Sequence, residues 1–431
     1  MKIFKSVLIF ELSRRFRTRE IILFLLIAFT LLFFVHHGKN KYFEANENKK
    51  IFQDAENTKV KQYVLYRQYG GFGIRLMFMP SPYSILYNDH IFDGLLAHIN
   101  TVERQNIYKP VKGKNFFTGR SEYMCFAGII LLFGSLVSII YGYDTGNNRT
   151  FSYFLSSISD PRKIFIFTVI SRIIILNIGF LILIGISILT LLFNNINLFG
   201  SSLALIIIVV ESLLTFFFAI GCIIGSLKKS IKGIVLTIVF FLSVFIIPFI
   251  DETVNEVKSS DIDNILRFEL VNLKIIMSAE KRLLSRFGVL RAGEKPPPEV
   301  AEEVKKAVND EHKKIRKREN QMRDKVLERI KNRHLRSLFF PVLFYNSIMR
   351  EISSHGGLSL IDFYSFSQKV KKEFIDFYVN KRFLTKSIPG QIENFVKGEE
   401  NIFYAESKIP EMFWQGIIIT LIYTVIGLII A

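Results

Sequence analysis

The sequence predicts an all-α membrane protein: six transmembrane helices, an N-terminal amphipathic elbow helix and a mainly helical extracytoplasmic domain. Three observations carry this. Half of the 431 residues are hydrophobic and the mean hydropathy is +0.31, too apolar for one water-soluble domain. Apolar runs of about 20 residues, the length a helix needs to cross hydrocarbon, recur along the chain. Basic residues collect at the ends of those runs and along two polar insertions.

Residues 2–19 come first. Ile3, Phe4, Val7, Leu8, Phe10, Glu11, Leu12 and Phe16 form a mostly apolar helical face, and Arg14, Arg15 and Arg17 reach for headgroups, as in a helix lying in the membrane plane. The spans follow at 20–36, 123–143, 164–193, 202–226, 233–250 and 411–431. No small-residue cleavage pattern follows the first run at His36-His37-Gly38-Lys39, so it reads as a retained span. Lys2, Lys5 and four arginines against Glu11 alone place the N-terminus in the cytoplasm. Six spans then put Arg149, Arg162, Lys163, Lys228, Lys229 and Lys232 in cytoplasmic loops and return the C-terminus to the cytoplasm, as expected for a bacterial inner-membrane protein.

This divides the chain into an elbow (1–19), a span (20–36), a first extracytoplasmic insertion (37–122), four spans with a cytoplasmic loop at 144–163 (123–250), a large helical domain (251–410) and a last span (411–431). Within the large domain, Pro296-Pro297-Pro298-Glu299 opens a helix. That helix shows only one apolar residue per turn: Val304, Val308, Ile315, Met322, Val326 and Ile330. Such a stripe seats one partner helix and buries no core of its own. Phe363, Phe366, Val370, Phe374, Phe377 and Tyr378 recur at helical spacing and suit the inner face of a helical bundle.

The formal charge of +18 could indicate nucleic acid, but these cations lie at span ends and on insertions, so membrane lipid is the expected anionic partner and nucleic acid is not. Gly38-Lys39 and Gly113-Lys114 are each followed by Asn, so no P-loop occurs and the chain is not expected to be an ATP-hydrolysing enzyme. Cys125 and Cys222 sit inside apolar runs, and the seven histidines are scattered without helical pairing, so no metal site is expected.

Two ionisable residues fall inside spans, Arg172 and Glu211. Arg172 lies about two turns from Lys163 and could snorkel to the cytoplasmic surface. Glu211 is deep in its span, and an ionised carboxylate there costs about 2.5–3.5 kcal/mol without a partner. A helix interface is therefore expected for it, with Ser212, Ser202 or Arg172 as the nearby polar groups.

The segment Asp144 to Lys163 is the most informative. Gly146, Asn147 and Asn148 end a span, Phe151, Phe154 and Leu155 fall on one face of a short helix, and Asp160-Pro161 opens the next. This stretch resembles the coupling segment of type-2 ABC permeases, in which an acidic residue, a Gly-Thr step, a Leu-Leu-Ser run and a Pro-x-x-Arg turn recur in order. Asp144 stands at the acidic position, Arg149-Thr150 at the Gly-Thr step, Leu155-Ser156 in the run and Asp160-Pro161-Arg162 at the turn. Pro80-Ser81-Pro82-Tyr83 and Phe340-Pro341-Val342 with Gly356-Gly357 look like the two insertions of the permease subfamily linked to gliding motility and multicopper-enzyme maturation.

The resemblance implies a membrane subunit of an ATP-driven exporter. Its partners would be a cytosolic ABC ATPase that carries ATP-Mg, a second permease copy or homologous permease, and a periplasmic partner for the large domain. It implies no cofactor bound by this chain. Two other readings stay open: a mechanotransmission protein that acts on an envelope partner without transport, and a proton-coupled carrier centred on Glu211. The last is disfavoured because no internal repeat of broken helices is seen.

Overall fold

The computed structural model describes residues 2–17, 20–87, 96–100, 106–108, 125–147, 161–227, 229–246, 298–384, 390–395 and 400–431. These residues are mostly helical. Among the described residues five helices are long and apolar enough to cross a membrane, marking a membrane protein.

Helix α1 (Lys2–Arg17) precedes α2 (Glu20–Lys61), which does not stop at residue 36. It continues unbroken for 42 residues, about 63 Å at 1.5 Å per residue, so its polar second half leaves the apolar layer. The next crossing consists of α4 (Phe126–Ile129), a π-turn over Ile130–Gly134 and α5 (Ser135–Asn147). It is followed by α6 (Pro161–Leu192) and α7 (Ser201–Ser226). In the run at 233–250, α8 (Lys229–Phe241) passes into a π-turn over Leu242–Ile246, and 247–250 lie outside the described residues. The last crossing, α12, is Phe413–Ile430.

Small residues set the closest packing. Gly142 and Gly146 on α5, four residues apart, face Gly221 and Gly225 on α7. A Cβ at Gly142 would overlap the Phe218 carbonyl, and one at Gly221 would overlap that of Ile139. Two such spacings let the backbones touch, which apolar side chains in lipid cannot achieve by hydrophobic driving force alone. The inner end of α5 is thereby fixed against α7.

The two insertions form one mixed structure. A four-stranded sheet of order β3-β2-β1-β4 joins β1 (Ile74–Met79), β2 (Leu96–Ile99) and β3 (Asn106–Tyr108) of the first insertion to β4 (Ile402–Tyr404) of the second. β1 pairs in parallel with β4, Phe78 opposite Phe403, and antiparallel with β2. The aromatic stripe of α11 (Gly357–Val379) is buried against this sheet and α3 (Tyr66–Phe72) rather than against a helical bundle. Phe363 meets Phe78 edge-on at 5.5 Å and Phe374 meets Tyr69 at 5.4 Å. The Tyr69 hydroxyl donates to Asn394 Oδ1 at 3.1 Å and accepts from the Phe395 N–H at 3.1 Å, a second tie between the insertions.

The long charged helix α9 (Pro298–Ser337) leads into α10 (Pro341–Ile352), which packs over α7 and α12. Phe344 of α10 fills the space above Gly416 of α12, and the Tyr345 hydroxyl donates to Ala127 O at 2.8 Å. His334 Nε2, in the last turn of α9, lies 3.3 Å from Glu351 Oε1 on α10, while Glu351 Oε2 accepts from the Leu358 N–H at the start of α11. Helix α10 is thus the joint between the membrane helices and the sheet.

Candidate functional site

The end of the bundle opposite the sheet carries a cluster of four charges. Arg172 of α6 has no exposed surface. Its Nη2 donates to Glu11 Oε1 of α1 at 2.9 Å, its Nη1 donates to Thr145 Oγ1 of α5 at 2.8 Å, and Nη1 lies 3.1 Å from Asp144 Oδ2. Arg14 of α1 completes the group, with Nη2 3.1 Å from Asp144 Oδ2. Two guanidiniums and two carboxylates alternate, so the net charge is zero.

Local sequence places each member. Glu11 falls with Val7 on the side of α1 turned to the protein, one turn apart, while Ile9, Phe10 and Leu12 remain exposed. Phe4 joins that contact by packing edge-on against Phe167 of α6 at 5.8 Å. The glycine contacts bring the last turn of α5 hard against α7, leaving Asp144 and Thr145 to face α6 and α1. Thr145 donates in turn to Tyr141 O, so its lone pairs are aimed at Arg172. Lys232 at the start of α8 donates to Gly225 O, and its ammonium stands 5.5 Å from the Tyr143 ring centre. The end of α5, the end of α7 and the start of α8 therefore meet α1 and the interior of α6 at one level.

A buried guanidinium bridging two carboxylates does not snorkel. Arg172 is not drawn to the surface, as its sequence position suggests, nor is it near enough to pair with Glu211. Planar, bidentate geometry lets one arginine tie three elements, which a lysine could not do. Removing Arg172 or Glu11, both without exposed surface, would leave an uncompensated buried charge and cost about 3–5 kcal/mol, so this pair fixes α1 against α6, and the contacts of Arg172 with Asp144 and Thr145 add α5.

Among the residues singled out from sequence, Asp144 and Arg172 come together in this cluster. Asp144 stands on α5 itself, not in a loop. Pro161 is the first residue of α6 and Arg162 follows it, exposed. Arg149, Thr150, Phe151, Phe154, Leu155 and Asp160 lie outside the described residues. Glu211 is half-buried on α7, and neither carboxylate oxygen has a hydrogen-bond partner among the described residues. Glu11, Arg14 and Thr145 are site residues that sequence reasoning misses. The available signal is Glu11, the one acid among the six basic residues of 1–19 and set on an apolar face.

Among the described residues no group of three or more His, Cys, Asp or Glu side chains is placed to hold a metal ion. No family model matches the chain, and no curated protein or solved structure matches it either.

Proposed function

We propose that this chain is the membrane-spanning permease subunit of an ATP-driven ABC exporter, working with a separate cytosolic ATPase that binds ATP-Mg and with a second permease copy or homologue. In this reading there are six spans, α8 with its π-turn being the fifth, and α1 is the elbow helix. Both termini and the charge cluster lie on the cytoplasmic side of a bacterial inner membrane; the sheet lies outside.

The observation that carries the reading is where the cluster sits. Asp144 and Thr145 stand just before the segment 148–160, Arg172 stands about three turns into the helix after it, and all three are tied to α1. The segment that resembles a coupling element thus lies, in the chain, between residues joined by one ion network. A push on Phe151, Phe154 or Leu155 would reach α1, α5 and α6 together, which is what a subunit driven from the cytosol needs.

A mechanotransmission role is the second reading. Its support is the unbroken α2: Glu56, on its far part, pairs with Arg75 of β1 at 2.6 Å, so one rigid helix connects the bundle to the sheet. Purification of the untagged native complex with every subunit identified tests both readings, because each requires an ATPase in the complex. Substrate movement in proteoliposomes then separates them.

A further inference from the structure

We infer that the turn between α9 and α10 is a lipid-binding foot, seated in the anionic headgroup and upper acyl region of the leaflet on the sheet side of the membrane. This inference rests on the reading that α12 crosses that membrane.

The turn lies in the second insertion, directly after the charged helix α9. Yet Leu335, Phe339 and Phe340 are exposed, Phe339 by 62%. A water-facing turn has no reason to present two adjacent phenylalanines, and contiguous exposed apolar surface marks an interaction site. The preceding stretch Arg329-Ile330-Lys331-Asn332-Arg333-His334-Leu335-Arg336 contains four Lys or Arg and no acid. Basic residues flanking an apolar tip match an anionic lipid surface, in which the rings enter the acyl boundary and the cations stay among phosphates.

Position supports the same occupant. One turn beyond Phe340, Phe344 rests over Gly416 and lies 6.3 Å from the Phe413 ring, at the first turn of α12. The exposed Trp414 is the next residue, and Phe193 and Phe199 stand exposed in the connection between α6 and α7, at the same end of the bundle. Aromatic residues gather at the membrane–water boundary, and the foot is continuous with this group and with the apolar faces of the spans below it. The foot would hold α10 at a fixed depth, and α10 is the joint that carries the sheet.

The chain has one tryptophan, so Trp414 reports its own depth without labelling. The experiment reconstitutes the full chain, as wild type and as the double variant Phe340→Trp with Trp414→Phe, in phosphatidylcholine–phosphatidylglycerol vesicles. The double variant carries its single indole on the foot. Acyl chains carry bromine either near the glycerol or near the terminus. Expected is a loss of the foot indole's fluorescence that is larger with shallow bromine than with deep bromine, together with weak quenching by aqueous acrylamide. Removing phosphatidylglycerol should reduce that loss, and Lys331→Gln with Arg336→Gln should abolish the dependence on it.

Strong acrylamide quenching of the foot indole without bromolipid quenching would place the foot in water and overturn the inference. Protection from both quenchers would mean that a protein surface covers it, which also overturns it. Indifference to phosphatidylglycerol would overturn the anionic headgroup assignment. If wild-type Trp414 also escapes bromolipid quenching, the spanning assignment of α12 fails; if Trp414 is quenched and the foot indole is not, only the foot fails.

Discussion

Replacing Arg172 by Met tests the ion cluster directly. Methionine roughly fills the arginine stem but supplies no charge, so Glu11 and Asp144 lose their shared partner while Arg14 can neutralise only one of them. Breaking a buried pair in this way costs about 3–5 kcal/mol, a factor of about 100 to several thousand in the folding equilibrium. Thermal melting of the purified chain in detergent should show a clear drop. The compensating change is Glu11→Leu in the same chain: it removes one charge of each sign and leaves Arg14 paired with Asp144. Well-packed apolar residues in place of a buried pair are often neutral or stabilising, so the double variant should recover most of the loss. Arg172→Lys keeps the charge but cannot bridge three groups and should fall between. The reasoning is refuted if Arg172→Met melts like wild type, or if Glu11→Leu adds its own destabilisation instead of relieving it.

Further outcomes follow from other contacts. Gly142→Leu or Gly221→Leu should destabilise by about 1–3 kcal/mol or more through forced separation of α5 and α7, whereas Gly185→Leu, with open space around it, should not; detergent melts compare them. Glu211→Leu removes a carboxylate that finds no partner among the described residues, so the purified chain should keep or gain stability, by up to about 1–3 kcal/mol; a marked loss would show a missing partner. Burial raises the Tyr63 phenol to about 12 and raises Tyr69 also. Unfolded, both ionise near about pH 10, so the folded state keeps protons that the unfolded state releases: stability is intact below that pH and falls as pH rises through and beyond it. Melts at about pH 9 and about pH 11 should diverge, and less so for Tyr69→Phe.

The long apolar helices are legible in the sequence because lipid leaves a helix few alternatives, and the hydropathy of α2, α6, α7 and α12 announces it. Pro161 as a helix start is equally plain. The sheet is not. β3 and β4 have three residues each, too short for an alternation signal, and β1 joins a strand more than three hundred residues further along the chain. For the same reason the α11 stripe suggests bundle core: helical spacing tells which face is buried, not what covers it. The end of α2 escapes the sequence because polarity after Val35 marks where lipid stops, not where a helix stops. In the site, Asp144 and Arg172 are visible as residues, but their direct contact is not, because it depends on how α5 packs against α6; and Glu11, the second carboxylate on Arg172, sits on the first helix among apolar neighbours. The facing glycines stand in the sequence at four-residue spacing and are explained only by the contact they make.

The central claim of the proposed function is that segment 148–160, which falls in the chain between Thr145 and Arg172 of the ion cluster, receives a cytosolic ATPase. The most direct measurement is copurification of that ATPase with wild type and with the double variant Phe151→Asp with Phe154→Asp, alongside a check that the variant inserts in the membrane. Loss of the ATPase from a normally inserted variant is the expected result; undiminished copurification would contradict the account.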